Sequence, residues 1–303
     1  MLIASNQFLS PVHSVDFSQV PERPLFAAGF LDETINIWKT TDGTYDLSVP
    51  LKTIEEQGLG VVSLGFNYNW DKIASTSLDS KIRIYSLEDG MNPQEFRVYE
   101  MDALRLWKFD FHPKTDELIY GTLSLNILNI ANEESKSSIE FKNGWKYINS
   151  VKFNNEGVMW AWGDIDGVVE LYKIKEGAAE RVMKFEDHGL PVRDLSYSKD
   201  DAHLVSVSDD QHINLIDATS GKRIQSFTGH QQEVLCCWFN PNGKYFATGS
   251  ADKSIKIWDL SERKCVNTIN IHDGSVWSIK FSPDGRYLVS GSEDGVVALT
   301  EFK

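Results

Sequence analysis

Hydrophobic and polar residues alternate with a period of two in short stretches along this chain of 303 residues. In the stretch 276–281, with the sequence VWSIKF, one set of alternate positions holds Val276, Ser278 and Lys280 and the other holds larger apolar residues. Such alternation predicts β-strands. The turn residues Pro283-Asp284-Gly285 follow this stretch, and residues of these types favour hairpins. The pattern therefore predicts an antiparallel all-β protein.

The strand–turn–strand unit recurs, and each copy is marked by an acidic turn after its second strand. The turn acids are Asp32, Asp79, Asp166, Asp210, Asp252 and Asp294. From the first to the last the spacing averages about 44 residues per unit, with one acid missing from a double interval. A period of roughly 40–45 residues with four strands per unit is typical of a β-propeller. We predict a single seven-bladed propeller of four-stranded antiparallel blades over residues 1–303.

The two ends of the chain predict how the ring closes. The last unit ends at residues 299–303, one strand short of a full blade, whereas residues 1–9 form a spare β-like segment before the first unit. We expect residues 1–9 to pair with the last blade as its outer strand, which would remove an unpaired sheet edge.

Composition and charge limit the classes of function. Hydrophobic residues make up 41% of the chain and aromatic residues 12%, which is enough for a sizeable core, and no apolar run approaches the ~20 residues of a membrane span. The net charge of −14 counts against direct binding of nucleic acid. The N-terminal residues lack a basic leader with a long apolar centre, so we expect no secretory signal. The only cysteines, Cys236, Cys237 and Cys265, suit a reducing compartment.

No convincing catalytic or metal site emerges from the sequence. His188, His230 and His272 are about 42 residues apart, so they fall on different blades and do not converge on a metal. Cys236 and Cys237 point to opposite faces of one strand and are interpreted as packing residues. The inner strands are expected to present hydrophobic and small side chains to the channel, and the pair at 209–210 is expected in a solvated loop. We therefore predict a protein that is not an enzyme, with no cofactor and no metal.

A candidate binding surface lies where each first strand begins. In a propeller, the residue after the first apolar position of that strand projects towards the central opening on one rim. These residues are His13, Val62, Trp107, Asn149, Arg193, Leu235 and Trp277. Tryptophan and arginine are enriched in binding hot spots, and Tyr147 and Arg105 could extend the patch. In the alternative interpretation, Trp107 and Trp277 plug the channel or pack between blades.

The unit with His230, Thr248, Asp252 and Trp258 resembles the WD-repeat family, and the resemblance spans about residues 8–303. In that family the four side chains form a buried hydrogen-bond chain, which this resemblance implies here. The chain is complete in unit six alone. Units five and seven have Ile216 and Thr300 in the place of the tryptophan, and units one to four have Phe8, Gln57, Asp102 and Gly144 in the place of the histidine.

Within the family, the chain is similar to the group of small WD-repeat subunits of Ski complexes. The similarity is carried by residues 58–63, 77–85, 191–195 and 251–259. It implies a scaffold in the cytoplasm that binds a helical-repeat protein and a helicase in exosome-mediated 3′-to-5′ mRNA decay. It also implies nuclear roles, in transcription elongation with the Paf complex in animals and with a meiotic DNA-break protein in fungi. The expected state is a monomer within a hetero-complex, without direct contact to nucleic acid or membrane.

Three alternatives remain at this stage. A substrate receptor of a ubiquitin ligase usually needs an additional adaptor-binding segment, for which the seven units leave little room. A G-protein β-like role would need an N-terminal coiled-coil helix, and an enzyme would need polar residues that converge in the channel. The sequence favours the scaffold.

Overall fold

The computed structural model describes residues 1–18, 25–39, 46–55, 57–87, 94–101, 106–130, 136–139, 147–175 and 178–302. Within these ranges the strands form seven four-stranded antiparallel sheets. The first strands of neighbouring sheets contact one another in sequence, and the last contacts the first again, so the sheets form a closed ring. The predicted all-β propeller with seven blades is confirmed.

The first four blades run outward from the axis in chain order. Blade one contains β2 (Val12–Phe17), β3 (Leu25–Phe30), β4 (Ile35–Lys39) and β5 (Lys52–Ile54). Blade two contains β6 (Val61–Phe66), β7 (Lys72–Ser77), β8 (Lys81–Ser86) and β9 (Gln94–Glu100). Blade three contains β10 (Phe109–Phe111), β11 (Glu117–Gly121), β12 (Leu125–Asn129) and β13 (Lys136–Ile139). Blade four contains β14 (Ile148–Phe153), β15 (Met159–Asp164), β16 (Val169–Lys175) and β17 (Ala178–Phe185).

The remaining blades follow the same order. Blade five contains β18 (Val192–Tyr197), β19 (His203–Ser208), β20 (Ile213–Asp217) and β21 (Lys222–Phe227). Blade six contains β22 (Val234–Phe239), β23 (Tyr245–Ser250), β24 (Ile255–Asp259) and β25 (Lys264–Ile269). Blade seven contains β26 (Val276–Phe281), β27 (Tyr287–Ser292) and β28 (Val296–Glu301), and its outer strand is β1 (Leu2–Gln7).

Closure of the ring follows the predicted scheme. β1 pairs antiparallel with β28 from Leu2 opposite Thr300 to Gln7 opposite Val296. The Phe8 amide adds a further hydrogen bond of 2.9 Å to the carbonyl of Gly295. The N-terminal segment thus completes the last blade, and the edge that β28 would otherwise expose is paired.

The core lies between adjacent blades, and small residues in the second strands let the blades approach. Gly249 of β23 is an example, because a Cβ atom there would lie 2.7 Å from both Cys236 Sγ and Val276 Cγ1. Val276 is the first residue of the next blade's inner strand and is fully buried. Close packing of this kind fixes the inner strands around the axis, and the predicted rim residues lie at the start of these strands.

Candidate functional site: the axial channel and its rim

A β-bulge in the first strand positions the rim residues. In blade one the register of the pairing between β2 and β3 shifts between Val12 and Ser14, so His13 has no partner residue on β3. Five other blades show the same register shift. The residues at this shift are His13, Val62, Asn149, Arg193, Leu235 and Trp277. A bulge redirects a side chain and is often found near functional sites. Six of the seven predicted rim residues therefore share one backbone position, and Trp107 precedes β10 of blade three by two residues.

Trp277 packs against the neighbouring blade. Its ring stacks on that of His13, with the ring centroids 4.6 Å apart and the planes at 15°. The indole Nε1 is buried and has no hydrogen-bond partner among the described residues. Burial lowers the pKa of His13 to about 4, although Glu293 opposes the shift, so the imidazole is neutral at pH 7.

Arg193 is held by an acid from the turn of its own blade. Its Nε lies 2.7 Å from Oδ1 of Asp209, and its second nitrogen lies 2.7 Å from Oδ2. The expectation that Asp209 and Asp210 are solvated is wrong, because their side chains are only 13% and 14% exposed. The fold brings Arg193 and His188 beside this turn, and each side chain binds one of the two carboxylates.

The other predicted rim residues differ in exposure. Val62 and Leu235 are buried, and Asn149 is buried while its amide donates a hydrogen bond of 3.2 Å to the Val192 carbonyl. Trp107 and Tyr147 are partly exposed. Arg105 lies outside the described residues, as do Asp102 and Gly144. No ring contact joins Trp107 and Trp277, both of which the structure describes.

The hydrogen-bond chain of blade six connects its four side chains. His230 Nδ1 lies 2.8 Å from Asp252 Oδ2, and His230 Nε2 lies 2.8 Å from Thr248 Oγ1. The Trp258 indole donates to the same hydroxyl at 2.9 Å. Burial lowers the pKa of His230 although Asp252 opposes the shift, so the neutral ring donates to the acid and accepts from the threonine. His188 and His272 make equivalent contacts with Asp210 and Ser206 and with Asp294 and Ser290.

Blade two makes a similar connection with different residues. Gln57 takes the place of the histidine, donating to the Tyr85 hydroxyl at 2.7 Å and accepting from Ser75 at 2.6 Å. In blade one, Phe8 packs edge-on against Phe30 and Trp38. The sequence pattern shows the substitutions, but the hydrogen bonds of Gln57 could be found only in the structure.

The channel contains charged residues that the sequence analysis missed. Hydrophobic and small side chains were expected on the inner strands, and this expectation is wrong. The charged groups are Asp16, Lys108, Asp110, Lys152, Asp194 and Lys280, and Trp238 lies among them. All of them except Lys108 lie on first strands, and Lys108 directly precedes β10. The alternation of side chains along these strands was the signal that could have revealed them.

Ion pairs connect these groups between blades. Lys152 Nζ lies 2.5 Å from Asp110 Oδ1, and Lys108 Nζ lies 2.8 Å from Asp194 Oδ1, which joins blade three to blade five. The ammonium groups of Lys152 and Lys280 lie 4.4 Å and 3.2 Å from the centroid of the Trp238 ring. This ring belongs to blade six, so side chains from non-adjacent blades meet near the axis.

The three aspartates of this cluster accept hydrogen bonds from backbone amides. The first strand of each blade is an edge strand, and its outward amides need acceptors. Asp16 accepts from the Phe66 amide of the next blade at 3.0 Å, and Asp110 accepts from the Phe153 amide at 2.8 Å. Asp194 likewise accepts a hydrogen bond of 3.1 Å from the Cys237 amide of the next blade. The lysines then neutralise the negative charge of the aspartates on which these backbone hydrogen bonds depend.

Comparison with known proteins identifies the repeat. The family model "WD domain, G-beta repeat" matches residues 221–259 and 263–299, which belong to the last blades. A model of the "Anaphase-promoting complex subunit 4 WD40 domain" matches residues 178–239. The chain contains WD40 repeats and forms a seven-bladed β-propeller.

The relatives of this WD-repeat propeller include other proteins with the same repeat. It is 30% identical over 196 residues to WD repeat-containing protein SL1-17 of Schistosoma mansoni, covering 64% of this chain and 62% of that protein. It is 24% identical over 196 residues to a WD repeat-containing protein 91 homolog of Dictyostelium discoideum, covering 61% of this chain and 24% of that protein. The chain thus spans less than two thirds of the length of either relative.

The described residues also bear on membranes and metals. Within the described ranges, no helix has the length and apolar character needed to cross a membrane. In the same part of the chain, no three His, Cys, Asp or Glu side chains are grouped so that they could hold a metal ion. Cys236 and Cys237 are buried and free, and burial raises the pKa of both thiols. WD-repeat propellers are generally non-catalytic and typically mediate protein–protein interactions.

Proposed function

We propose that this WD-repeat propeller is a non-catalytic scaffold that docks a segment of a larger protein on the rim around Trp107 and Trp277. The observation that carries the proposal is the set of bulged residues at one end of the channel, which keeps Trp277 and Arg193 partly exposed on rigid strands. Aromatic and arginine side chains on a rigid surface provide affinity at low entropic cost.

Exposed apolar residues extend this surface outward. Leu59, Leu78, Ile165 and Leu190 are 52%, 53%, 41% and 50% exposed. They lie in the loops that lead into the first strands or leave the second strands, at the same end as the rim. The Leu78 amide is hydrogen-bonded to the Leu59 carbonyl at 3.1 Å, which fixes these two leucines side by side. Exposed apolar residues at one end of the molecule favour a protein partner there.

Acidic residues around the rim select the partner's charge. Asp32, Glu233, Asp273 and Glu293 are exposed in the loops of blades one, six and seven, and the chain carries a net charge of −14. We infer that the docked segment combines an apolar anchor with arginine or lysine, since opposite charge speeds association and excludes acidic competitors.

The finer assignment is a subunit of a Ski-like complex. It is supported by the resemblance of the segments 58–63, 77–85, 191–195 and 251–259. The partners would be a helical-repeat scaffold and a helicase that support 3′-to-5′ mRNA decay by the exosome in the cytoplasm. In the nucleus the same rim would serve meiotic DNA double-strand break formation or transcription elongation.

Affinity purification of the tagged full chain, followed by mass spectrometry, tests the proposal. Wild-type protein should capture the helical-repeat scaffold and the helicase. The amount of both that the double variant Trp107→Ala/Trp277→Ala captures should be lower by at least about tenfold. Trp70→Ala is the matched control, because Trp70 lines the opposite mouth of the channel. Capture of ubiquitin-ligase adaptors in place of the two subunits would contradict the finer assignment.

Folding must be separated from binding in this experiment. Leu78→Glu changes an exposed side chain and should retain the melting temperature of the wild type while it weakens capture. If both the Leu78 variant and a folded tryptophan variant capture partners as the wild type does, the rim is not the docking surface.

A further inference from the structure

A cavity occupies the half of the channel that lies away from the rim. Its volume is about 550 Å³, and none of the predicted rim residues lines it. Its mouth includes Tyr68, which is 37% exposed, and the exposed residues Asn155 and Lys199, so it is open to solvent. Cavities of roughly 300–1,000 Å³ accommodate small organic molecules.

Lys280 is the least firmly paired amine in this cavity. Its Nζ lies 3.6 Å from Asp16 Oδ1, which is an ion pair too long for a hydrogen bond, and its other close neighbour is the Trp238 ring. In the described part of the chain, no hydrogen bond reaches this nitrogen. Lys152 and Lys108 differ, because each ammonium lies within 2.8 Å of a carboxylate oxygen.

Burial makes the neutral amine of Lys280 easier to form than that of an exposed lysine. Burial lowers the pKa of Lys280 to about 8, and Lys152 adds to the decrease. Asp16, Asp110 and Asp194 oppose it, since their charges stabilise the ammonium form. A lysine that is desolvated and lies beside another cation is an activated nucleophile.

We propose that Lys280 is a reactive amine that forms an imine with small aldehydes that enter the cavity. The lone pair of Nζ attacks the carbonyl carbon, a C–N bond forms, and the oxygen takes up a proton. The carbinolamine then loses water as the C–O bond breaks and nitrogen gives up its remaining proton. Asp16, 3.6 Å from Nζ, is placed to pass protons between the nitrogen and the leaving oxygen.

This chemistry neither depends on the docking proposed for the rim nor contradicts it. The products are one imine and one water molecule, with no change of oxidation state, so no further reactant is required. Aromatic aldehydes fit best, because Trp238 and the aromatic residues Phe66, Phe111 and Phe153 line the same cavity.

The test is competitive labelling of the folded full chain with 2-hydroxybenzaldehyde at pH 8, with borohydride reduction and peptide mapping. Lys244 and Lys264 serve as internal standards, since they are exposed and neighbouring groups raise their pKa. Lys280 should be labelled on the order of tenfold faster than either, because a far larger share of it is neutral at this pH. Lys280→Met should remove the fast site, whereas Lys152→Met should slow labelling of Lys280 without removing it, because this variant lacks one cation that lowers the pKa of Lys280.

Wild-type labelling alone decides the outcome if a variant fails to fold. Labelling of Lys280 at or below the rate of Lys264 would overturn the proposal. Persistence of the fast phase in folded Lys280→Met would overturn it as well, because another amine would then be responsible.

Discussion

At the scale of single residues, Trp38 and Trp258 show how one position can be stabilised in two ways. Both are the large residue of a third strand, both are at most 2% exposed, and both stack on a phenylalanine of the second strand. Trp258 donates to Thr248, whereas the Trp38 Nε1 is buried without a partner among the described residues. Blade one has Ala28 where blade six has Thr248.

This difference predicts unequal effects of the same substitution. Trp258→Phe should lower the free energy of unfolding by about 1–2 kcal/mol more than Trp38→Phe, because only the first removes a buried hydrogen bond. Urea unfolding of the two variants, followed by circular dichroism, measures the difference. Equal losses would mean that packing alone stabilises Trp258.

The sequence pattern predicted the chain of His230, Thr248, Asp252 and Trp258 because all four lie within one repeat. It did not predict the pairing of Asp16 with Lys280, which are at opposite ends of the chain and meet only when the ring closes. It also missed the pair of Arg193 and Asp209, since the geometry of the bulge decides which acid the arginine reaches.

At the scale of elements, the spacing of the blades depends on glycines in the second strands. Gly249→Ala should destabilise the protein by about 1–3 kcal/mol, because the added Cβ would lie 2.7 Å from Val276 Cγ1 and force the blades apart. Gly189→Ala is the matched control, since a Cβ there meets nothing within 4 Å. Differential scanning calorimetry of both variants compares the two sites, and a similar melting temperature for both would contradict this role of Gly249.

The strand that closes the ring can be tested in the same way. Deletion of residues 1–7 removes β1 but leaves Phe8, whose ring contacts Phe30. The melting temperature should fall by about 5 °C or more, because β28 loses its partner and becomes an exposed edge. Leu9→Ser, at a fully exposed position, should leave it unchanged. An unaltered midpoint after the deletion would show that β1 contributes little to closure.

At the scale of the whole molecule, buried neutral histidines couple stability to pH. Burial lowers the pKa of His13, His230 and His272 below 6.5, so the unfolded chain binds more protons than the native state just below that value. Stability should therefore fall as the pH drops from 7 to 5.

The chain itself suggests a variant that reduces this dependence. His230→Gln/His272→Gln introduces the residue that blade two already uses at Gln57 in the equivalent hydrogen-bond chain. Urea midpoints at pH 7 and pH 5 should differ less in this variant than in the wild type. An unchanged difference would assign the pH dependence to other groups.

The ion pairs inside the ring have a consequence for how many molecules the protein can hold at once. Lys108 of blade three reaches Asp194 of blade five, and Lys152 of blade four lies over Trp238 of blade six. Side chains therefore cross the channel between its two ends. A peptide on one face and a small molecule in the opposite mouth would consequently never compete for space. Occupancy of each face could then be measured, inhibited or engineered while the other stays filled.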